Sequence, residues 1–137
     1  MLPDLSKLPF ERFEWITQAP NLDNKVLFVE FFATWCPPCQ TAVSHLNKIY
    51  NTYKNVGVEV VGICDEEKED IEKFIKDYNI NYNIAITYYE DFKEYFDQIP
   101  YLILVSRDRQ MYWKGFPLAI TDQEIQSFIA NKNILPE

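Results

Sequence analysis

The sequence predicts an α/β chain: a central mixed β-sheet of about five strands with helices on both faces. Three observations lead there. The runs Val26–Ala33 and Val58–Cys64 are short, apolar and rich in branched or aromatic residues, as strands buried on both faces are. Between and after them lie segments whose apolar residues recur at helical spacing. A closing pair of strand-like runs joined by a tight turn, then a capped helix, makes the sheet mixed rather than purely parallel.

Taken in order, residues 1–11 read as irregular. Arg12–Thr17 alternates in part, with Phe13 and Trp15 on one side, and reads as a first strand. Ala19–Lys25 carries Pro20, Asn21, Asp23 and Asn24, a turn composition. After the strand Val26–Ala33, a helix is expected over Pro38–Tyr53, where Ala42, Leu46, Ile49 and Tyr53 form one stripe. Val58–Cys64 is the next strand. Glu66–Tyr78 reads as a helix with an acidic start and Ile71, Phe74, Ile75 and Tyr78 on one face. Tyr82–Thr87 reads as a short strand and Asp91–Asp97 as a short helix grouping Phe92, Tyr95 and Phe96. Tyr101–Val105 and Gln110–Phe116 read as strands joined by the turn Ser106–Arg109. Thr121 and Glu124 have the spacing of a capping box, opening a last helix with Ile125, Phe128 and Ile129 inward.

Bulk properties narrow the function. At 137 residues the expectation is one domain spanning 1–137, large enough to hold a core without disulfide staples. The formal net charge of −8 disfavours nucleic acid as a partner, because phosphate binding needs clustered Lys and Arg. Three cysteines make a poor disulfide framework. No stretch approaches the ~20 apolar residues of a membrane span. The start, Met1-Leu2-Pro3-Asp4-Leu5, lacks the basic and apolar regions of a signal peptide, so the chain as given reads as soluble.

The most specific feature is Trp35-Cys36-Pro37-Pro38-Cys39. It falls where an apolar strand hands over to an amphipathic helix. A helix start offers free N–H groups and partial positive charge to a sulfur anion, so a Cys-x-x-Cys there reads first as a thiol–disulfide redox site. A structural disulfide or a zinc knuckle is the alternative. Pro37 and Pro38 stiffen the turn and cost little, because first-turn N–H groups lack helical partners. Glu30, inside an apolar strand, should have a raised pKa or a polar partner. Cys64 reads as a small buried hydrophobe and His45 as inert on the outer side of its helix.

With Lys25–Cys39, Val60–Glu67, Ile99–Val105 and Gly115 in register, the chain resembles the thioredoxin superfamily, most of all the TlpA/ResA-type thiol–disulfide oxidoreductases. The resemblance implies a thioredoxin-like fold. It also implies a Cys36–Cys39 redox-active disulfide, with Cys36 the more exposed nucleophile and Cys39 the buried resolving thiol. Three positions along a helix put two side chains on one face, near enough to bond. Glu30, six residues before Cys36, resembles the buried acid of thioredoxins proper and would take the proton from Cys39. Pro100 resembles the family's cis-proline, with Trp35, Pro37, Ile99 and Tyr101 beside it to hold substrate. Two features depart from the pattern. Ser44 stands where the family often has a kinking proline, and the usual lysine partner of the acid is not evident in Val58–Cys64.

The function expected on these grounds is protein-disulfide reduction or exchange, without cofactor or metal. Partners would be protein thiols or disulfides and an upstream protein reductant, a membrane thiol carrier in many relatives; the chain itself would be a monomer. Relatives of this kind favour an extracytoplasmic location. Two other functions compete: a thiol peroxidase, which needs Thr and Arg around Cys36, and a zinc-bound or redox-inactive interaction module.

Overall fold

A computed structural model describes residues 10–110 and 112–130. Its six strands are β1 (Glu14–Trp15), β2 (Val26–Phe31), β3 (Val58–Cys64), β4 (Asn83–Ile86), β5 (Tyr101–Val105) and β6 (Tyr112–Gly115). Three α-helices accompany them: α1 (Pro37–Tyr53), α2 (Lys68–Tyr78) and α3 (Asp122–Ala130). The sheet order is β1-β4-β3-β2-β5-β6. β2, β3 and β4 run parallel, and β1, β5 and β6 pair antiparallel with their neighbours. Mixed topology therefore holds, but with six strands among the described residues rather than about five. The outermost, β1, is only the pairs Glu14↔Ile86 and Trp15↔Ala85. Phe10–Arg12 forms a 3-10 turn, which cuts short the strand expected from Arg12 and gives structure to the end of the expected irregular segment; residues 1–9 lie outside the described part.

The two faces of the sheet are covered differently. Period-two alternation sends Val26, Phe28, Val60, Ile84, Leu102 and Leu104 to one face, where α1 packs Val43, Leu46 and Ile49, α2 packs Ile71 and Phe74, and α3 packs Ile125 and Phe128. Steps from β2 to β3 to β4 move the same way across the sheet, so right-handed crossovers place α1 and α2 on that same side. The other face, with Leu27, Val29, Phe31, Val61, Ile63 and Ile103, is covered by Phe13, Phe92 and Tyr95. There the helical cover is 3-10: Tyr89–Phe92 forms a single turn instead of the helix expected over Asp91–Asp97. Phe31 stacks on Phe96 at 4.1 Å between ring centres and meets Phe92 at 5.5 Å, so aromatic area supplies the burial a longer helix would have given.

Helix ends obey local chemistry. α1 runs unbroken from Pro37 to Tyr53 past Ser44, as the absence of a proline there allows. α2 begins at Lys68, two residues later than expected, and ends on Asn79 in the left-handed conformation (φ 56°), whose N–H reaches the carbonyl oxygens of Ile75 and Lys76. The capping box forms: Thr121 Oγ1 accepts from Glu124 N–H (3.1 Å), and Glu124 accepts from Thr121 N–H (3.0 Å). At the end of the sheet where β2 and β3 begin, Arg109 donates to the carbonyl oxygens of Lys25 and Leu22, each at 2.8 Å. Arg107 donates there to Val56 O (2.7 Å) and Ile129 O (2.8 Å).

Gly62, mid-β3, is demanded by space. A Cβ there would lie 2.8 Å from Ile84 Cδ1, 3.1 Å from Phe32 Cε1 and 3.4 Å from Tyr82 Cε2. All three neighbours are buried, so none yields cheaply. Gly62→Ala is expected to lower unfolding free energy by about 1–3 kcal/mol, read from urea denaturation.

Candidate active site

The site grows out of the C-terminal end of β2. The ladder continues one residue past the strand, where Phe32 N–H donates to Ile63 O (3.1 Å). The chain then turns through Ala33–Trp35, and Cys36 N–H donates to Ala33 O (3.4 Å). Glu66, just beyond β3, grips this turn: its carboxylate accepts from Thr34 N–H (2.8 Å) and from the Thr34 hydroxyl (2.6 Å). Gln40 Nε2 donates to Thr34 O (3.0 Å) from the first turns of α1.

Cys36 is the N-cap of α1, with extended backbone (φ −93°, ψ 113°). Pro37 and Pro38 come next and carry no N–H. The first free amide of the helix therefore belongs to Cys39, and it donates to Cys36 Sγ at 3.3 Å. No acidic side chain lies in the first turn of α1, so its partial positive charge is left to the sulfur. The two cysteines thus meet head-on, both as free thiols. Cys39 lies deeper, and burial, reinforced by its hydrogen bond with Cys36, pushes its thiol well above the ordinary range.

The exposure of Cys36 differs from expectation. It is less buried than Cys39, but it is only 4% exposed. The Cys39 N–H holds its sulfur against the helix, Glu66 fixes the turn ahead of it through Thr34, and the exposed surface here belongs to Trp35 (71%).

Glu30 sits in β2 between Gly62 of β3 and Leu102 of β5 and is 2% exposed. Its Oε2 has no hydrogen-bond partner, and desolvation raises its pKa from 4.5 to about 8. Glu59, on the neighbouring strand and 9% exposed, shows what a structural buried carboxylate looks like: Lys25 Nζ (3.1 Å) and Asn83 Nδ2 (2.9 Å) both bond it. The charge of Glu30, on the same face of the sheet as α1, adds the smallest of several contributions that hold the Cys39 thiol up.

The Ile99–Pro100 peptide bond is cis and leads into β5. Pro100 lines a cavity of about 400 Å³ together with Pro38 and Ala42 of α1 and with Phe116, Pro117, Leu118 and Ala119 beyond β6. Ile99 packs against both hydrophobic clusters, and Pro37 is exposed. Tyr101 alternates to the opposite face, where its side chain packs against the cluster of Leu27, Val29 and Phe31, so its backbone is what faces the dithiol side. Sequence reading missed Phe116 and Leu118, both more than half exposed. The signal was the run Phe116-Pro117-Leu118, apolar yet outside any amphipathic stripe, one residue past a strand.

Two remaining candidates lie apart from this chemistry. Cys64 is fully buried at the end of β3, and desolvation holds its thiol up at about 12. His45 is half-buried on α1, where desolvation lowers its pKa and its Nε2 has no partner. Among the described residues, no three Cys, His, Asp or Glu side chains are grouped to hold a metal ion, and no helix is long and apolar enough to cross a membrane.

A mixed sheet with a Cys-x-x-Cys at a helix start and a cis-proline beside it defines a thioredoxin-like protein. More narrowly, the chain belongs to the AhpC/TSA family, whose sequence profile matches residues 3–109. It is 34% identical over 67 residues to the thiol-disulfide oxidoreductase ResA of Bacillus cereus, a match covering 48% of this chain and 39% of that protein. The chain thus spans about two-fifths of the length of the curated relatives it matches. Its fold is similar to that of a thiol-disulfide isomerase from Corynebacterium glutamicum (TM-score 0.71, 21% identity, 87% of this chain and 90% of that one). It is also similar to a secreted disulfide oxidoreductase of Mycobacterium tuberculosis (TM-score 0.67, 18% identity, 86% and 92%).

Two measurements check this geometry. Glu66→Ala releases Thr34, and the rate of Cys36 alkylation by iodoacetamide should rise about tenfold if the clamp limits access. Glu30 governs the pH dependence of stability. Its folded pKa of about 8 exceeds the ordinary 4.5, so its contribution is fully present below 4.5 and is lost as pH rises through about 8. Its share of that fall is at most about 1.4 kcal/mol per pH unit. Glu30→Gln should remove this slope from denaturation curves taken between pH 5 and pH 8.

Proposed function

We propose that this chain exchanges disulfides of protein substrates through the Cys36/Cys39 dithiol. The observation that carries the reading is Cys36 Sγ at the N-cap of α1, bonded to the Cys39 N–H, in a turn whose Pro38 lines an apolar cavity with Pro100.

In this reading the Cys36 thiolate attacks one sulfur of a substrate disulfide. A mixed disulfide forms, and the first substrate thiolate leaves and takes a proton from water. Cys39 then attacks Cys36 Sγ, expels the second substrate thiolate and closes the Cys36–Cys39 disulfide. Two electrons pass from the dithiol to the substrate, and an upstream protein dithiol restores them. Cys39 cannot attack as a thiol, and its raised pKa calls for a base; Glu30, whose charge acts on it, serves as one in this reading. With its pKa near 8, Glu30 is mostly protonated at pH 7, so resolution should accelerate as pH rises through about 8. Because Cys36 is sealed, substrate entry requires the Thr34–Pro37 turn to give way, with Trp35 and the Phe116–Leu118 surface receiving apolar residues of the incoming chain.

The peroxidase reading has less support. Arg107 and Arg109 are committed to carbonyl oxygens at the opposite end of the sheet, Arg12 lines a cleft with Asp65 and Thr87, and Thr34 is held by Glu66. A zinc module has no side-chain cluster to rest on among the described residues. Exchange between protein thiols, an upstream reductant, action as a monomer and an extracytoplasmic setting complete the proposal.

Insulin reduction measured by turbidity tests it. Cys36→Ser should abolish turnover, and Cys39→Ser should accumulate mixed disulfides at Cys36, seen by mass spectrometry. Normal turnover by Cys39→Ser would defeat the dithiol mechanism. Glu30→Gln should lose the rate increase near pH 8 while remaining folded.

A further inference from the structure

To accept a proton from Cys39, Glu30 must first exist as a carboxylate, in a place where burial disfavours that form. Its neighbours across the sheet are Gly62 and Leu102, which bring no polar side chain. Gly62 leaves a gap on the α1 face, and a tyrosine fills part of it. Tyr82, just before β4, is 3% exposed and lies in the same cluster as Cys36 and Cys39. Its Cε2, next to the phenol carbon, lies 3.4 Å from where a Gly62 Cβ would stand. Glu30 pairs with Gly62 across strands about 4.8 Å apart, so a ring edge against the Gly62 position stands about one strand spacing from Glu30. Glu30 Oε2, buried and without a hydrogen-bond partner, is the atom such a group would serve.

We propose that Tyr82 is a positioning residue for the resolving step: its phenol, through one bound water, donates to the Glu30 carboxylate and so favours the form that can accept the Cys39 proton. This rests on the reading of Glu30 as the base for Cys39. A buried carboxylate oxygen either recruits water or bears the full desolvation cost, and a water held between phenol and carboxyl has the partners it needs. The phenol suits the task because it stays neutral. Burial pushes its own ionisation well above the ordinary range, and the Glu30 and Cys39 charges push it further. A neutral donor favours the carboxylate without a positive charge that would hold it as an ion pair and weaken it as a base. The ionisable groups facing Glu30 are Cys39 and, next to it, Cys36 from α1, and Tyr82 ahead of β4, while β3 and β5 offer Gly62 and Leu102.

The test is a direct titration of the Glu30 carboxyl by carbon-13 NMR in the reduced protein, which does not depend on turnover. Tyr82→Phe keeps the ring and removes the donor. The Glu30 midpoint should rise by about one pH unit, and the pH midpoint of mixed-disulfide resolution should rise with it. In a Glu30→Gln background, Tyr82→Phe should leave the pH profile of resolution unchanged. A Glu30 midpoint that is the same with Tyr and with Phe overturns the proposal while leaving the dithiol mechanism intact. Normal turnover by Cys39→Ser would instead defeat that mechanism, whatever the titration gives. Should Tyr82→Phe fail to fold, the reciprocal measurement decides: Glu30→Gln should lower the ionisation midpoint of Tyr82, and an unchanged midpoint overturns the proposal.

Discussion

Strand β2 is the constraint on which this protein depends. It is hydrogen-bonded along both edges, to β3 and to β5, and every one of its residues is buried. A six-residue segment so enclosed has no freedom of register, because a slip of one residue would exchange its two faces. The chain leaving its C-terminal end is therefore delivered to one place. That chain is the Thr34 turn and then Cys36, so the position of the sulfur is inherited from the backbone ladder rather than from the cysteine's own packing.

The same strand carries Glu30, and the contrast with Glu59 shows how the molecule treats buried charge in two ways. Glu59 receives a lysine and an amide, and its burial is offset by those bonds. Glu30 receives neither and holds its proton more tightly instead. In the proposed mechanism that cost has a use, because the acid would exchange a proton with Cys39, a thiol only 1% exposed. Stability and chemistry pull against each other at this one position.

Much of the architecture was legible in the sequence because it rests on periodicity. Val26–Phe31 and Val58–Cys64 are apolar almost throughout, and α1 and α2 carry stripes that only a helix would align. The Cys pair and Glu30 were legible because strand, turn and helix succeed one another without insertion. Other features depend on neighbours distant in sequence. The single turn at Tyr89–Phe92 replaces a longer helix because Phe31, Phe92 and Phe96 already fill that face. The turn that leads into Cys36 is held by Glu66, 32 positions from the threonine it binds. No spacing could bring Tyr82 against the middle of β3; its ring lies there because Gly62 has no side chain.

The two arginines of the β5–β6 turn have a consequence for how the molecule breathes. Arg107 and Arg109 stitch the segment before β2, the approach to β3 and the end of α3 into one knot, at the pole of the sheet farthest from Cys36. At the opposite pole, Glu66 and Gln40 hold the turn through one residue, Thr34. Fluctuations that open the molecule will concentrate there, as a hinge opens on the side away from its pin. The arginine-tied pole holds the ladder together, so a change confined to the Thr34 turn leaves the sheet behind it in place.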